Sequence, residues 1–92
     1  MSDRIVAAAI RTEDGRIFTV PPPGRHHDVI ALMHREQVPL ATVLRAEQGF
    51  ATEKHPFVLR MAALRIAVEA GQFRGEPPAA STTHGLFSED VW

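Results

Sequence analysis

The sequence predicts a small α+β domain, an antiparallel sheet with two main helices, that self-associates. Three observations predict it. Two short apolar runs flank an Asp-Gly dipeptide, the pattern of a hairpin. Two later segments repeat apolar residues at helical spacing and end at helix stop signals. The second of these is apolar around so much of its circumference that one thin sheet cannot cover it, which points to an oligomer. The 92 residues suffice for one modest core that buries about two-thirds of the extended chain's surface. Residues 1–76 are expected to form the single domain, 77–85 a flexible linker, and 86–92 a tail that docks.

In chain order, Ile5–Ile10 and Arg16–Val20 read as strands joined through Thr12-Glu13-Asp14-Gly15. The small, unbroken apolar run Val6-Ala7-Ala8-Ala9-Ile10 suits a strand covered on both faces. Pro21, Pro22 and Pro23 then end the pairing, because proline has no N–H to donate, and Gly24 completes the break. Asp28 to about Gln37 forms the first helix, with Val29, Ile30, Leu32 and Met33 on its apolar stripe and Pro39 just past its end. Leu40–Ala46 fits either a short strand or another helical turn. Gln48–Thr52 reads as a strand. The second helix spans about Phe57 to Ala70. Leu59, Ala62, Ala63, Ile66 and Ala70 make one stripe, Met61, Leu64 and Val68 a second, and Gly71 is the left-handed stop. Pro77–Thr83 is a linker composition. Leu86-Phe87-Ser88-Glu89-Asp90-Val91-Trp92 ends on the chain's single Trp. A frayed end seldom carries a Trp, so the tail should dock on its own subunit or a neighbour.

Composition excludes several classes. Hydrophobic residues at 45% and charged residues at 23% are globular values, not those of a disordered chain. The longest apolar run is far too short to cross a bilayer and Met1-Ser2-Asp3-Arg4 is not a signal peptide, so a cytoplasmic protein without membrane contact is expected. Zero Cys excludes disulfides, thiolate metal sites and Cys nucleophiles. A net charge of −1 supplies no field for a nucleic-acid polymer, and about twenty residues separate the two helices, too many for a helix-turn-helix reader. Nine of the ten basic residues are nonetheless Arg, the side chain that grips phosphate bidentately. GC-rich coding produces the same bias.

The densest polar cluster is Arg25-His26-His27-Asp28 at the mouth of the first helix. An anion rests readily at a helix N-terminus, and an Arg with two His adds charge-assisted donors. The alternative is a solvated loop with an ordinary Asp cap. His26, His27 and His34 lack recognisable metal spacing, so no metal is expected. Ser2, Ser81 and Ser88 lack a glycine elbow. Acid–base chemistry by Asp28 with His27, or by Glu89 with a His, is generic. Arg60 in the first turn of the second helix, near Phe57 and Phe50, suits a nucleotide. A helix-opening Arg opposes the helix dipole and calls for a compensating anion; a solvated charge or an intersubunit ion pair are the alternatives.

Several fragments, in order, resemble a family. They are Ile5-Val6-Ala7-Ala8-Ala9-Ile10-Arg11, Arg25-His26-His27-Asp28, Gln48-Gly49-Phe50, Ala63-Leu64-Arg65-Ile66-Ala67 with Ala70-Gly71-Gln72, and Leu86 to Trp92. The series resembles a group of small bacteriophage proteins and is similar to the phage nucleotide sponges that counter the bacterial Thoeris defence system. Ala62 stands where that pattern has a Glu. The resemblance implies a non-enzymatic protein without a cofactor, in the host cytoplasm, binding a cyclic ADP-ribose-type signal and also cyclic oligonucleotides. It implies an antiparallel sheet with helices, assembled as dimers or higher multimers. The pocket residues it implies are Arg25, His26, His27, Phe50, Arg60 and Gln72. On that reading Arg25 and Arg60 hold the diphosphate, Phe50 or Phe87 stacks on the base, and His26 or His27 donates to phosphate or ribose, in a pocket between subunits. The other readings are a phage protein that inhibits a host protein through its helix faces or its Trp92 tail, and a small nucleotide-cleaving enzyme.

Overall fold

A computed structural model describes residues 3–74 and 85–92. The Asp-Gly turn does what its sequence requires. Gly15 sits at φ +91°, and Thr12 exchanges backbone bonds with Arg16 and Gly15. The Thr12 hydroxyl accepts from the Arg16 N–H at 3.1 Å and donates to Asp14. This fixes the register of β1 (Ile5–Arg11) against β2 (Ile17–Val20) from Arg11↔Ile17 to Ala8↔Val20. On its other edge β1 pairs antiparallel with β3 (Glu47–Thr52). A two-residue strand, β4 (Val58–Leu59), completes the order β2-β1-β3-β4.

Register decides which side chains meet. Ile5, Ala8 and Ile10 of β1, Phe18 and Val20 of β2, and Phe50 of β3 share one face, with a bulge near Val6 keeping Ile5 in phase with Ala8. Two helices cover that face: α1 (His26–Arg35) lies over β1 and β2, and α3 (Arg60–Glu69) over β3 and β4. Val29 and Met33 of α1, Ala63 and Ala67 of α3, and Leu86 of the tail join the sheet residues in one buried cluster. On the opposite face a Cβ at Gly49 would lie 2.6 Å from the Phe57 ring. Phe57 therefore roofs Gly49, the cross-strand partner of Ala9, and Arg11 stacks its guanidinium 4.5 Å from the Phe57 centroid. This is how Ala8 and Ala9 come to be buried on both sides of the sheet.

Both main helices end in the same motif. At the end of α1 the Val38 N–H reaches Met33 O and the Gln37 N–H reaches His34 O; at the end of α3 Gln72 reaches Ala67 and Gly71 reaches Val68. Gly71 occupies the left-handed position at φ +69°, whereas α1 places Gln37 there at φ +63°. Leu40–Arg45 is a helix, α2, with no buried residue.

The second main helix differs from its sequence reading at the start. Phe57–Leu59 is extended and α3 begins at Arg60. The free edge of β3 explains the difference: Phe50 and Gly49 pair with Val58 and Leu59, and this long-range pairing, with Phe57 packed on Gly49, wins over local helical periodicity. The stripes also redistribute. Ala63 and Ala67 are fully buried, Leu64 and Ile66 half-buried, and Met61 and Val68 exposed. The expected linker at 77–85 lies outside the described residues except for Gly85. A Cβ at Gly85 would lie 2.8 Å from the Arg60 carbonyl carbon, so the tail's backbone runs directly over the start of α3.

Candidate functional site

The turn after β2 delivers Arg25 to the mouth of α1. The Gly24 N–H donates to Pro21 O at 2.9 Å, and the Arg25 N–H donates to Asp28 Oδ2 at 2.8 Å. Asp28 thus sits in the first turn of the helix and reaches back, offsetting the helix's positive end. His27 Nε2 lies 3.4 Å from Asp28 Oδ1, and the imidazole is largely exposed. His26 turns inward. Its Nε2 donates to the Gly49 carbonyl at 2.7 Å, and its ring meets Phe50 edge-on at 5.0 Å.

The tail returns across this mouth. Leu86 is fully buried and pairs with α3: its N–H donates to Arg60 O at 2.9 Å, and Arg60 Nε donates to Leu86 O at 3.0 Å. The Arg60 guanidinium lies 4.0 Å from the Phe87 centroid, a cation–π contact. A 3-10 turn at Ser88–Asp90 then brings Trp92 back to α1. The indole Nε1 donates to Gly24 O at 2.8 Å, while Arg25 Nε and Nη2 donate to the Trp92 main-chain oxygen at 3.2 and 2.7 Å.

Between tail and helix mouth lies a cleft of about 480 Å³ lined by Arg25, His26, His27, Gln48, Phe87 and Ser88. Ligand pockets span about 300–1,000 Å³. Of the sequence-derived residues, the structure brings together Arg25, His26, His27 and Phe87. Arg60 stands behind Phe87 and holds the tail; the anion it was expected to need is replaced by a carbonyl oxygen and a ring face. Phe50 is wholly buried beneath His26, so it has no face to offer a base. Gln72 is elsewhere. Its side chain accepts from Ile5 N–H at 2.7 Å and donates to Ile5 O at 2.9 Å. Ile5 lies four residues from Ala9, the partner of Gly49, about 13 Å along the strand.

Gln48 and Ser88 also line the cleft, although neither was expected as a pocket residue. Gln48 was legible by alternation, since two residues before Phe50 on a strand means the same face. Ser88 depends on the tail's return, which no local pattern encodes. No group of three or more His, Cys, Asp or Glu side chains positioned for a metal occurs among the described residues, and none of their helices is long and apolar enough to span a membrane.

Fold and site together define a small two-layer α+β protein whose basic cleft is walled by its own tail. The chain belongs to the family described as phage T4 y16D protein, whose profile matches residues 4–92, and is a small bacteriophage protein. No curated protein and no solved structure matches it.

Proposed function

We propose that this phage protein is a non-enzymatic binder that sequesters a small phosphorylated nucleotide, of the cyclic ADP-ribose type or a cyclic oligonucleotide. Acting in the infected host's cytoplasm, it deprives a defence effector of its signal. The supporting observation is the meeting of Arg25, His26 and His27 with Gln48 and Phe87 around one cleft at the mouth of α1. Arg25 takes the phosphate, His27 donates to phosphate or ribose, and Phe87, held by Arg60, supplies the stacking surface. Self-association through the exposed Met61 and Val68 stripe of α3 belongs to the same proposal.

A second reading has its own observation. Ile30, Val38, Leu40 and Val43, with His34, Arg35 and Gln37, line an apolar groove of about 560 Å³ between α1 and α2, and Leu40 and Leu44 are 71% and 75% exposed. This groove suits direct inhibition of a host protein.

The test incubates purified protein with cyclic ADP-ribose or a cyclic dinucleotide, removes free ligand, denatures the protein by heat and identifies what is released. Intact nucleotide, lost with Arg25→Ala, supports sequestration. A cleaved product supports a nucleotide-cleaving enzyme instead. No retained nucleotide leaves the protein-binding groove as the functional surface.

A further inference from the structure

The geometry points to a latch: residues 91–92 form a hook that occupies Arg25, and a phosphorylated ligand reaches that guanidinium by displacing it. The inference rests on the binding reading above and adds its regulation.

Hook and helix mouth clasp each other in both directions. Arg25 gives two donors to the Trp92 main-chain oxygen, and the Trp92 indole gives its one donor to the Gly24 carbonyl. The clasp therefore uses the same fork that would grip a phosphate bidentately. The rest of the tail is held differently. Leu86 is fully buried and exchanges two bonds with Arg60, whereas Val91 and Trp92 are only partly buried. An anchored segment thus carries a weaker hook, with the 3-10 turn at Ser88–Asp90 between them as the pivot. The exchange has a direction. Both Arg25 donors converge on a single Trp92 oxygen, whereas a phosphate offers each donor its own oxygen in the parallel bidentate geometry a guanidinium favours, so phosphate outcompetes the Trp92 oxygen at Arg25. What opposes it is the indole bond to Gly24 and the packing of the Trp92 ring against the core. Leu86 keeps the hook within reach, so the cleft recloses when the ligand leaves.

Trp92, the chain's only Trp, reports the event directly. The experiment titrates the full chain with cyclic ADP-ribose, following Trp92 emission in the wild type and affinity by calorimetry in the wild type and Trp92→Phe. The substitution keeps a ring and removes the donor. The latch predicts a Trp92 emission change that saturates with binding. It also predicts that W92F binds about fivefold tighter, the equivalent of one hydrogen bond of about 1 kcal/mol. Binding with unchanged Trp92 emission, or equal or weaker affinity in W92F, would overturn the latch while leaving sequestration standing. Absence of binding in both proteins, for cyclic ADP-ribose and for a cyclic dinucleotide titrated in the same way, would overturn sequestration and the latch with it. Should W92F fail to fold, the wild-type emission decides alone.

Discussion

Replacing Leu86 with Ala tests whether the tail belongs to the core. Leu86 is wholly buried and packs with Ile5, Phe50, Ala63 and the other residues of the central cluster, though 26 positions separate it from Arg60. The substitution removes three carbons, about 2.4 kcal/mol of transfer free energy at about 0.8 per methylene. The cavity left behind raises the total to about 3–4 kcal/mol. Its two bonds to Arg60 run through the backbone of residue 86 and survive, so the loss reports packing. Urea unfolding followed by circular dichroism should give that loss. In thermal melts the same change lowers Tm by about 15 °C. A loss below about 1 kcal/mol would show that Leu86 lies outside the cooperative unit and would refute the reasoning.

Other positions give equally direct outcomes. Gln37→Gly should stabilise the protein by about 1 kcal/mol in the same urea titration, because Gln37 holds a left-handed conformation at φ +63° that glycine adopts without strain. Gly49→Ala should cost about 1–3 kcal/mol and move the Phe57 ring resonances by NMR, since the new methyl meets Val58 and Phe57. Hydrogen bonds from Thr12, then from Arg16, hold the Asp14 carboxyl below its usual 3.8. A depressed carboxyl contributes stability above the unfolded value and loses it as pH falls through the folded one. Thermal melts of the wild type should therefore decline more steeply below pH 3.8 than those of Asp14→Asn, and equal slopes would contradict that role.

The fold was legible wherever local chemistry decided it. Asp14-Gly15 marks the hairpin, the β1 alanines mark a strand buried on both sides, and Gly71 marks the end of α3. It was illegible where partners distant in sequence decided it. Phe57–Leu59 continues a helical apolar pattern, yet the open edge of β3 draws Val58 and Leu59 into the sheet. Leu40–Ala46 gave no local preference and became helical behind Pro39 without burying a side chain. The site divides in the same way. Arg25, His26 and His27 are adjacent in the chain, so their meeting at the helix mouth could be read directly. Arg60 and Gln72 instead satisfy main-chain groups at Leu86 and Ile5, contacts set by the tail and by packing. Phe50 alternates into the core because its strand face, rather than its proximity to Gln48-Gly49, determines its surroundings.

The central claim is that a phosphorylated nucleotide occupies the cleft between α1 and the tail. Titrating the ¹⁵N-labelled protein with cyclic ADP-ribose and mapping amide shifts tests it most directly. The account predicts saturable shifts at His26, His27, Gln48 and Ser88, with little movement at Ile5 and Gln72. Shifts concentrated at Ile5 and Gln72, or spread along Leu40 to Leu44 with the cleft unmoved, would contradict it.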